Sequence, residues 1–309
     1  MFKQNQNPIV LGAAPFGTGV SRETSFAIID TYLDQGGSII DTAAVYGMGT
    51  SEQTIGAYLK ERKMRSKVYI STKGGHPSLP DWRRRINESE IRADIEASLK
   101  NLETDHVDVY FLHRDDEDQS VEDIMPILDK LVREGKARFI GASNWTVARI
   151  NEANEFARKN GLCEFSTSQI FWCGAVINKE GVYDKTLVAM DDTEHKGYAE
   201  NRLPVMAYTS QARGLFSRLG AKGLDSLSED MKRTYINSQT LARAERISAL
   251  AAESGLSHTA ISLAYLLYDK SVNAYPIIGT SRPERIAEAM EALSLKPHEI
   301  DALLDNHTT

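Results

Sequence analysis

Cysteine is scarce, long apolar runs are missing and neither sign of charge is gathered into blocks, and each shortage closes off a class of protein. Only two cysteines occur in 309 residues, Cys163 and Cys173, with no Cys or His beside them at metal-ligand spacing. That excludes a disulfide framework and a zinc site, and leaves reduced thiols in a core or pocket wall. No window approaches the roughly 18 apolar residues a membrane span requires, and the amino terminus, MFKQNQNPIV, lacks the apolar core of a signal peptide. The expectation is a soluble, cytoplasmic chain with no membrane partner. Lysine and arginine total 36 against 43 acidic residues, a formal charge of -7. Without a basic block, nucleic acid is not an expected partner, and Arg83-Arg84-Arg85 reads as solvated or locally paired. No low-complexity linker and no internal repeat divide the chain, which predicts one domain over residues 1–309.

What is present is a rhythm. Eight apolar runs recur: Ile9 to Ala13, Ser38 to Thr42, Lys67 to Thr72, Val107 to Leu112, Ala137 to Ala142, Phe165 to Phe171, Pro204 to Tyr208 and Ala274 to Ile278. Most are apolar on both pleat faces, as parallel strands covered on both sides need. Helical periodicity marks Glu23 to Leu33, Glu52 to Glu61, Glu88 to Leu102, Val121 to Glu134, Thr146 to Lys159, Gln239 to Leu267 in two pieces, and Pro283 to Leu293. Thr50 with Gln53 reads as a capping box, while Gly36-Gly37, Gly135 and Gly161 read as helix stops. Asn178 to Asn201 is a weaker helix, and Leu215 to Ser238 reads as a long loop whose glycines at 220 and 223 permit motion.

This order predicts an α/β fold, a (β/α)8 barrel of the TIM type in one domain, with long βα loops over the C-terminal face. An open doubly wound sheet would need a nucleotide fingerprint after the first strand. The segment LGAAPFGTG, Leu11 to Gly19, does not supply G-x-G-x-x-G in strand-to-helix context.

Ionisable groups collect where strands should end. Asp41 closes the second strand and Tyr46 follows in its loop; Lys73 ends VYISTK and His113 ends VDVYFLH. Singly, each has an ordinary structural use: a turn cap, a rim tyrosine, a snorkelling lysine, a histidine satisfied by backbone. Together on consecutive strand ends they form a proton donor for a carbonyl. An ammonium beside a phenol favours its ionised form, a carboxylate holds that ammonium, and an imidazole orients the substrate oxygen. A lysine at a strand end also suits a Schiff-base aldolase, with Lys73 as nucleophile.

These residues resemble the aldo-keto reductase family. DTAAVYG matches its Asp and Tyr, STKGG its Lys and YFLHRDD its His, with further matches at GASNW, STSQIFW, MAYTSQARGL and IIGTSRPERIAEA. The resemblance runs from about Leu11 to about Leu293. It implies an NAD(P)H-dependent oxidoreductase that interconverts an aldehyde, ketone or sugar-type carbonyl and its alcohol on a barrel without a Rossmann domain, with Asp41, Tyr46, Lys73 and His113 as the catalytic set and no metal. A second outcome, through the resemblance to potassium-channel β subunits, is a regulatory protein that senses the cofactor without turnover.

By the same resemblance, Ser143, Asn144 and Gln169 hold the nicotinamide carboxamide and Tyr208 stacks on its ring. Thr209, Ser210, Gln211, Arg213 and Gly214 continue along the pyrophosphate. Gly279, Thr280, Ser281 and Arg285, with Arg282 assisting, form the phosphate end, where loops after the last two strands and a helix start also suit an anion on physical grounds. Ser143-Asn144 also reads as a helix cap before Thr146. The family often places Lys where this chain has Gly279 and Asn where it has Ala289, which counts against NADP(H), but Arg285 matches its 2′-phosphate arginine, so NADP(H) is favoured with NAD(H) as the other option. Substrate-wall candidates are His76, Trp82, Arg114 and Trp172.

Overall fold

Each apolar run of the sequence becomes one strand of a closed parallel barrel. The computed structural model describes residues 7–304. Its strands are β1 (Val10–Gly12), β2 (Ile39–Asp41), β3 (Tyr69–Gly74), β4 (Val107–Leu112), β5 (Ala137–Ser143), β6 (Phe165–Phe171), β7 (Val205–Tyr208) and β8 (Ala274–Ile278). They pair in sequence order, and β8 returns to β1 through Val10 opposite Ile277 and Leu11 opposite Ile278. Closure leaves no unpaired sheet edge.

The helices are α1 (Arg22–Asp34), α2 (Thr50–Arg62), α3 (Glu88–Asn101), α4 (Val121–Arg133), α5 (Val147–Lys159), α6 (Asp192–Asn201), α7 (Leu215–Lys222), α8 (Glu229–Tyr235), α9 (Ser238–Ser254), α10 (His258–Leu267), α11 (Glu284–Met290) and α12 (Pro297–Leu304). Most start on a side-chain cap: Ser21, Asn87, Ser120, Thr146, Asp191, Ser228, Asn237 and Ser257 each accept a backbone N–H of the first turn. Among the described residues, no helix is long and apolar enough to cross a membrane.

Two apolar layers hold the barrel. The larger lies between sheet and helices, and the smaller, Val10, Ile39, Val109, Phe111, Met206, Tyr275 and Ile277, fills the interior. Phe111 fits because position 141 is glycine: a Cβ there would stand 2.4 Å from the Phe111 ring. Side chains alternate across a strand, so the interior face continues at every second residue. One step past this apolar layer, Ile39 leads to Asp41, Phe111 to His113, Met206 to Tyr208, Ile277 to Gly279 and Val10 to Gly12. The inward pleat thus delivers polar groups and bare backbone to the barrel mouth.

Four local expectations change. The Thr50–Gln53 capping box does not form: Gly47, Met48 and Gly49 all have positive φ, so Thr50 Oγ1 turns back to the Gly47 carbonyl and Gln53 donates to Asn101. The cap before α5 is Thr146, while Asn144 sits at φ 59° and Ser143 stays in β5. Of residues 178–201, only a single turn at Lys179–Gly181 and α6 are helical. The long loop expected from Leu215 is instead α7, a short turn at Leu224–Ser226, and α8.

Candidate active site

The pleat ends meet around a cavity of about 1120 Å³. At its floor, Asp41 and Lys73 form a fully enclosed ion pair, with Lys73 Nζ 2.6 Å from Asp41 Oδ2 and 0% of its side chain exposed. Burial of two charges requires further partners, and they are there. Ser71 donates to Asp41 Oδ1 at 2.7 Å and Gln169 at 3.0 Å, while Lys73 also donates to the Thr42 carbonyl at 2.7 Å. Register supplies this meeting, since β2 and β3 place Asp41 opposite Ser71.

Tyr46 stands above the pair. Its ring centroid lies 5.2 Å from Lys73 Nζ and 5.8 Å from the His113 ring, which it meets edge-on. His113 extends the β4 ladder by donating its N–H to the Gly74 carbonyl. Burial, then the charges of Lys73 and Arg114, hold its imidazole well below the ordinary 6.5. Nδ1 is buried without a partner among the described residues. An orphaned buried N–H is rarer than an orphaned acceptor, which favours the neutral ring with its proton on Nε2.

This depression has a consequence for stability. Below pH 6.5 the unfolded chain takes up a proton at this position that the folded chain refuses, so stability rises with pH up to that point and falls as pH drops beneath it. Urea melts on both sides of that pH should show the acid slope, and His113→Asn should flatten it. Equal slopes in the two proteins would remove His113 as the source.

Other predicted residues divide by position. Ser143 and Gln169 sit opposite each other in β5 and β6 and line the cavity. Asn144 is pinned: its amide nitrogen donates to the His113 carbonyl and Ser143 Oγ, and its oxygen accepts the Tyr208 hydroxyl at 2.7 Å and the Val188 N–H. Tyr208 stacks on Phe171 with centroids 5.6 Å apart. Thr209, Ser210, Gln211, Arg213 and Gly214 follow along the wall, as do Gly279, Thr280, Ser281, Arg282 and Arg285. Thr209, Ala212, Arg213 and Gly214 all have positive φ, and the Ala212 and Gly214 N–H groups close tight turns onto the Thr209 and Gln211 carbonyls.

His76 and Arg114 line the substrate side, but Arg114 is already engaged by Thr186, Asp184 and the His113 carbonyl. The two tryptophans do not line the cavity. Trp172, one residue past Phe171 and so turned to the opposite face, is 3% exposed and packs its ring against His195. Trp82 is 47% exposed and lies beyond His76, with centroids 5.9 Å apart.

Several lining residues escaped sequence reading. Ser217, Arg218, Ala221 and Lys222, with Gly214, face the cavity from α7. Their spacing of i, i+3, i+4, i+7 and i+8 is one helix face, a signal hidden once the segment was read as loop. Gly12 follows Val10 by one pleat step and was equally findable. Leu187 lies in an irregular loop and carried no local signal.

A nicotinamide dinucleotide fits these residues. At one end stand the hydroxyl and amides of Ser143, Asn144 and Gln169, then the left-handed run at the start of α7. At Gly279 a Cβ would meet nothing nearer than the Gly12 carbonyl at 3.9 Å, so backbone is open there. The far end presents Arg218, Lys222, Arg282 and Arg285 against one acid, Glu288, which is paired with Arg285 at 2.6 Å. Ala289 is fully buried in the core and has no place in that wall.

The model of the Aldo/keto reductase family matches residues 8–305. Norsolorinic acid reductase of Aspergillus flavus is 29% identical over 94% of this chain and 74% of its own. A probable aryl-alcohol dehydrogenase of Saccharomyces cerevisiae is 29% identical over 92% of this chain and 88% of its own.

Proposed function

The chain belongs to the aldo/keto reductase family of oxidoreductases, and from that premise we propose that it uses NADP(H) to reduce the carbonyl of a small aldehyde, ketone or sugar, or runs the reverse. The observation that carries this reading is the convergence of Tyr46, the enclosed Lys73–Asp41 pair and a neutral His113 on one cavity. Tyr46 Oη gives a proton to the carbonyl oxygen as reduction proceeds. His113 donates from Nε2 to the same oxygen and orients it. Lys73 places positive charge beside the phenol, and Asp41 holds Lys73 in place.

A bound nicotinamide cofactor supplies the hydride. Ser143 and Gln169 would hold its carboxamide, with Asn144 exchanging one of its present partners to join them, Tyr208 its ring, and residues 209–214 with the start of α7 its pyrophosphate. An aldolase role for Lys73 is disfavoured, because a substrate carbonyl has no exposed Nζ surface to reach.

Oxidation of NADPH and NADH, followed by nicotinamide absorbance across aldehydes, ketones and sugars, tests the reading. Cofactor binding without turnover of any of them would replace it with a cofactor-sensing protein.

The four cations at the far end favour the additional phosphate of NADP(H). Arg282→Ala and Arg285→Ala should each weaken NADPH binding by about ten- to a hundredfold, the worth of one hydrogen bond to a charged group, and change NADH binding far less. NADPH affinity should also fall more steeply with salt. Equal losses for the two cofactors in titration calorimetry would reject the phosphate assignment.

A further inference from the structure

His76 has no part in the proton chemistry proposed above, yet it is held as firmly as the groups that do. Its neighbour Gly75 donates its N–H to Asp94 at 2.8 Å, and Arg85 joins the same carboxylate at 2.8 Å while donating to the His76 carbonyl at 3.2 Å. The ring itself is fixed by Nδ1, 2.8 Å from the Pro77 carbonyl. A carbonyl only accepts, so Nδ1 carries the hydrogen. Burial, and the nearby Arg114 and Arg85, lower the proton affinity of the ring, against the opposing effects of the Pro77 bond and Asp184. The neutral ring therefore keeps a lone pair on Nε2, for which no described residue supplies a donor.

The ring that carries this lone pair lies beside His113. The His76 ring meets the His113 ring edge-on at 4.9 Å, and both line the cavity. Tyr46 and His113 are donors, suited to a carbonyl oxygen. Three of the five N–H donors of Arg114 are turned to Thr186, Asp184 and the His113 carbonyl, and a guanidinium has no lone pair to offer a hydroxyl hydrogen. His76 is the neighbouring acceptor, suited to a hydroxyl. Hydrogen bonds of about 2.9 Å from two rings this close reach two oxygens on adjacent carbons.

We infer that His76 is a specificity-determining residue that selects carbonyl substrates bearing a hydroxyl on the neighbouring carbon, such as open-chain sugars and 2-hydroxy ketones. The inference rests on the reductase reading and narrows its substrate class. A substrate without the hydroxyl leaves the acceptor unpaired when it fills the pocket, and sites of that kind discriminate more strongly than apolar ones.

The test compares kcat/KM for 2-hydroxypropanal with that for propanal, in the wild type, His76→Phe and His76→Gln. Phe keeps an aromatic ring against His113 and Trp82 but has no lone pair; Gln restores an acceptor. The wild type should prefer the hydroxylated aldehyde, His76→Phe should shrink that preference by about ten- to a hundredfold, and His76→Gln should keep more of it. Because a ratio is read on one enzyme, a general loss of activity cancels. No preference in the wild type, or one that survives in His76→Phe, overturns the inference and leaves the reductase reading standing. No turnover of either aldehyde or of any carbonyl in the wider panel overturns the reductase reading and this inference with it.

Discussion

Replacing Tyr46 with Phe should lower carbonyl turnover by about a hundredfold to ten-thousandfold, the usual worth of a positioned proton donor, while NADPH binding stays close to wild type. The phenol oxygen is the only atom removed, and no hydrogen bond from it to another described residue contributes to the fold. The Tyr46 ring keeps its edge contact with His113 and its place over Lys73. The cofactor-holding groups come from other strand ends, β5 to β8, so their geometry is independent of the phenol. Steady-state rates with the best aldehyde of the panel, paired with calorimetric titration of NADPH, separate the two effects. Turnover within a fewfold of wild type would reject Tyr46 as the donor and turn attention to His113.

Asp41→Asn should be the most destabilising single change in the site, by about 3–5 kcal/mol, because it leaves a buried ammonium without its counter-ion. Lys73 is enclosed, and the Thr42 carbonyl is its other bonded acceptor. The reverse change is milder on physical grounds. In Lys73→Met the carboxylate retains Ser71 and Gln169 as donors, so the expected loss is smaller than in Asp41→Asn. The double variant should recover part of the stability, since neither charge is then stranded, but none of the turnover, since Tyr46 has lost its neighbouring cation. Urea unfolding of the three proteins measures the pattern. A loss below about 1 kcal/mol in Asp41→Asn would mean the pair behaves like an exposed one, contrary to its burial.

The sequence by itself determined the alternation of strand and helix, because parallel strands covered on both faces must be continuously apolar and their covering helices must show a 3.6-residue period. β4, β6 and β8 lie where their apolar runs lie, to the residue. It also placed Asp41, Tyr46, Lys73 and His113 at strand ends, since an ionisable group after a buried run is conspicuous in one dimension. What it read wrongly had one local cause and one distant one. Trp172 is one residue past Phe171, and a single step along a strand reverses the face a side chain occupies. The segment from Leu215 reads as loop, yet it forms α7, in which Gly220 is a close-packing position where a Cβ would stand 2.4 Å from His258.

Only the tertiary structure decided which polar groups are already spent. Arg114 is committed to Asp184, 70 positions away, while His76 keeps a free lone pair. Those assignments follow from barrel closure, which sets distant strand ends side by side at hydrogen-bond range, a relation that no local period in the chain encodes.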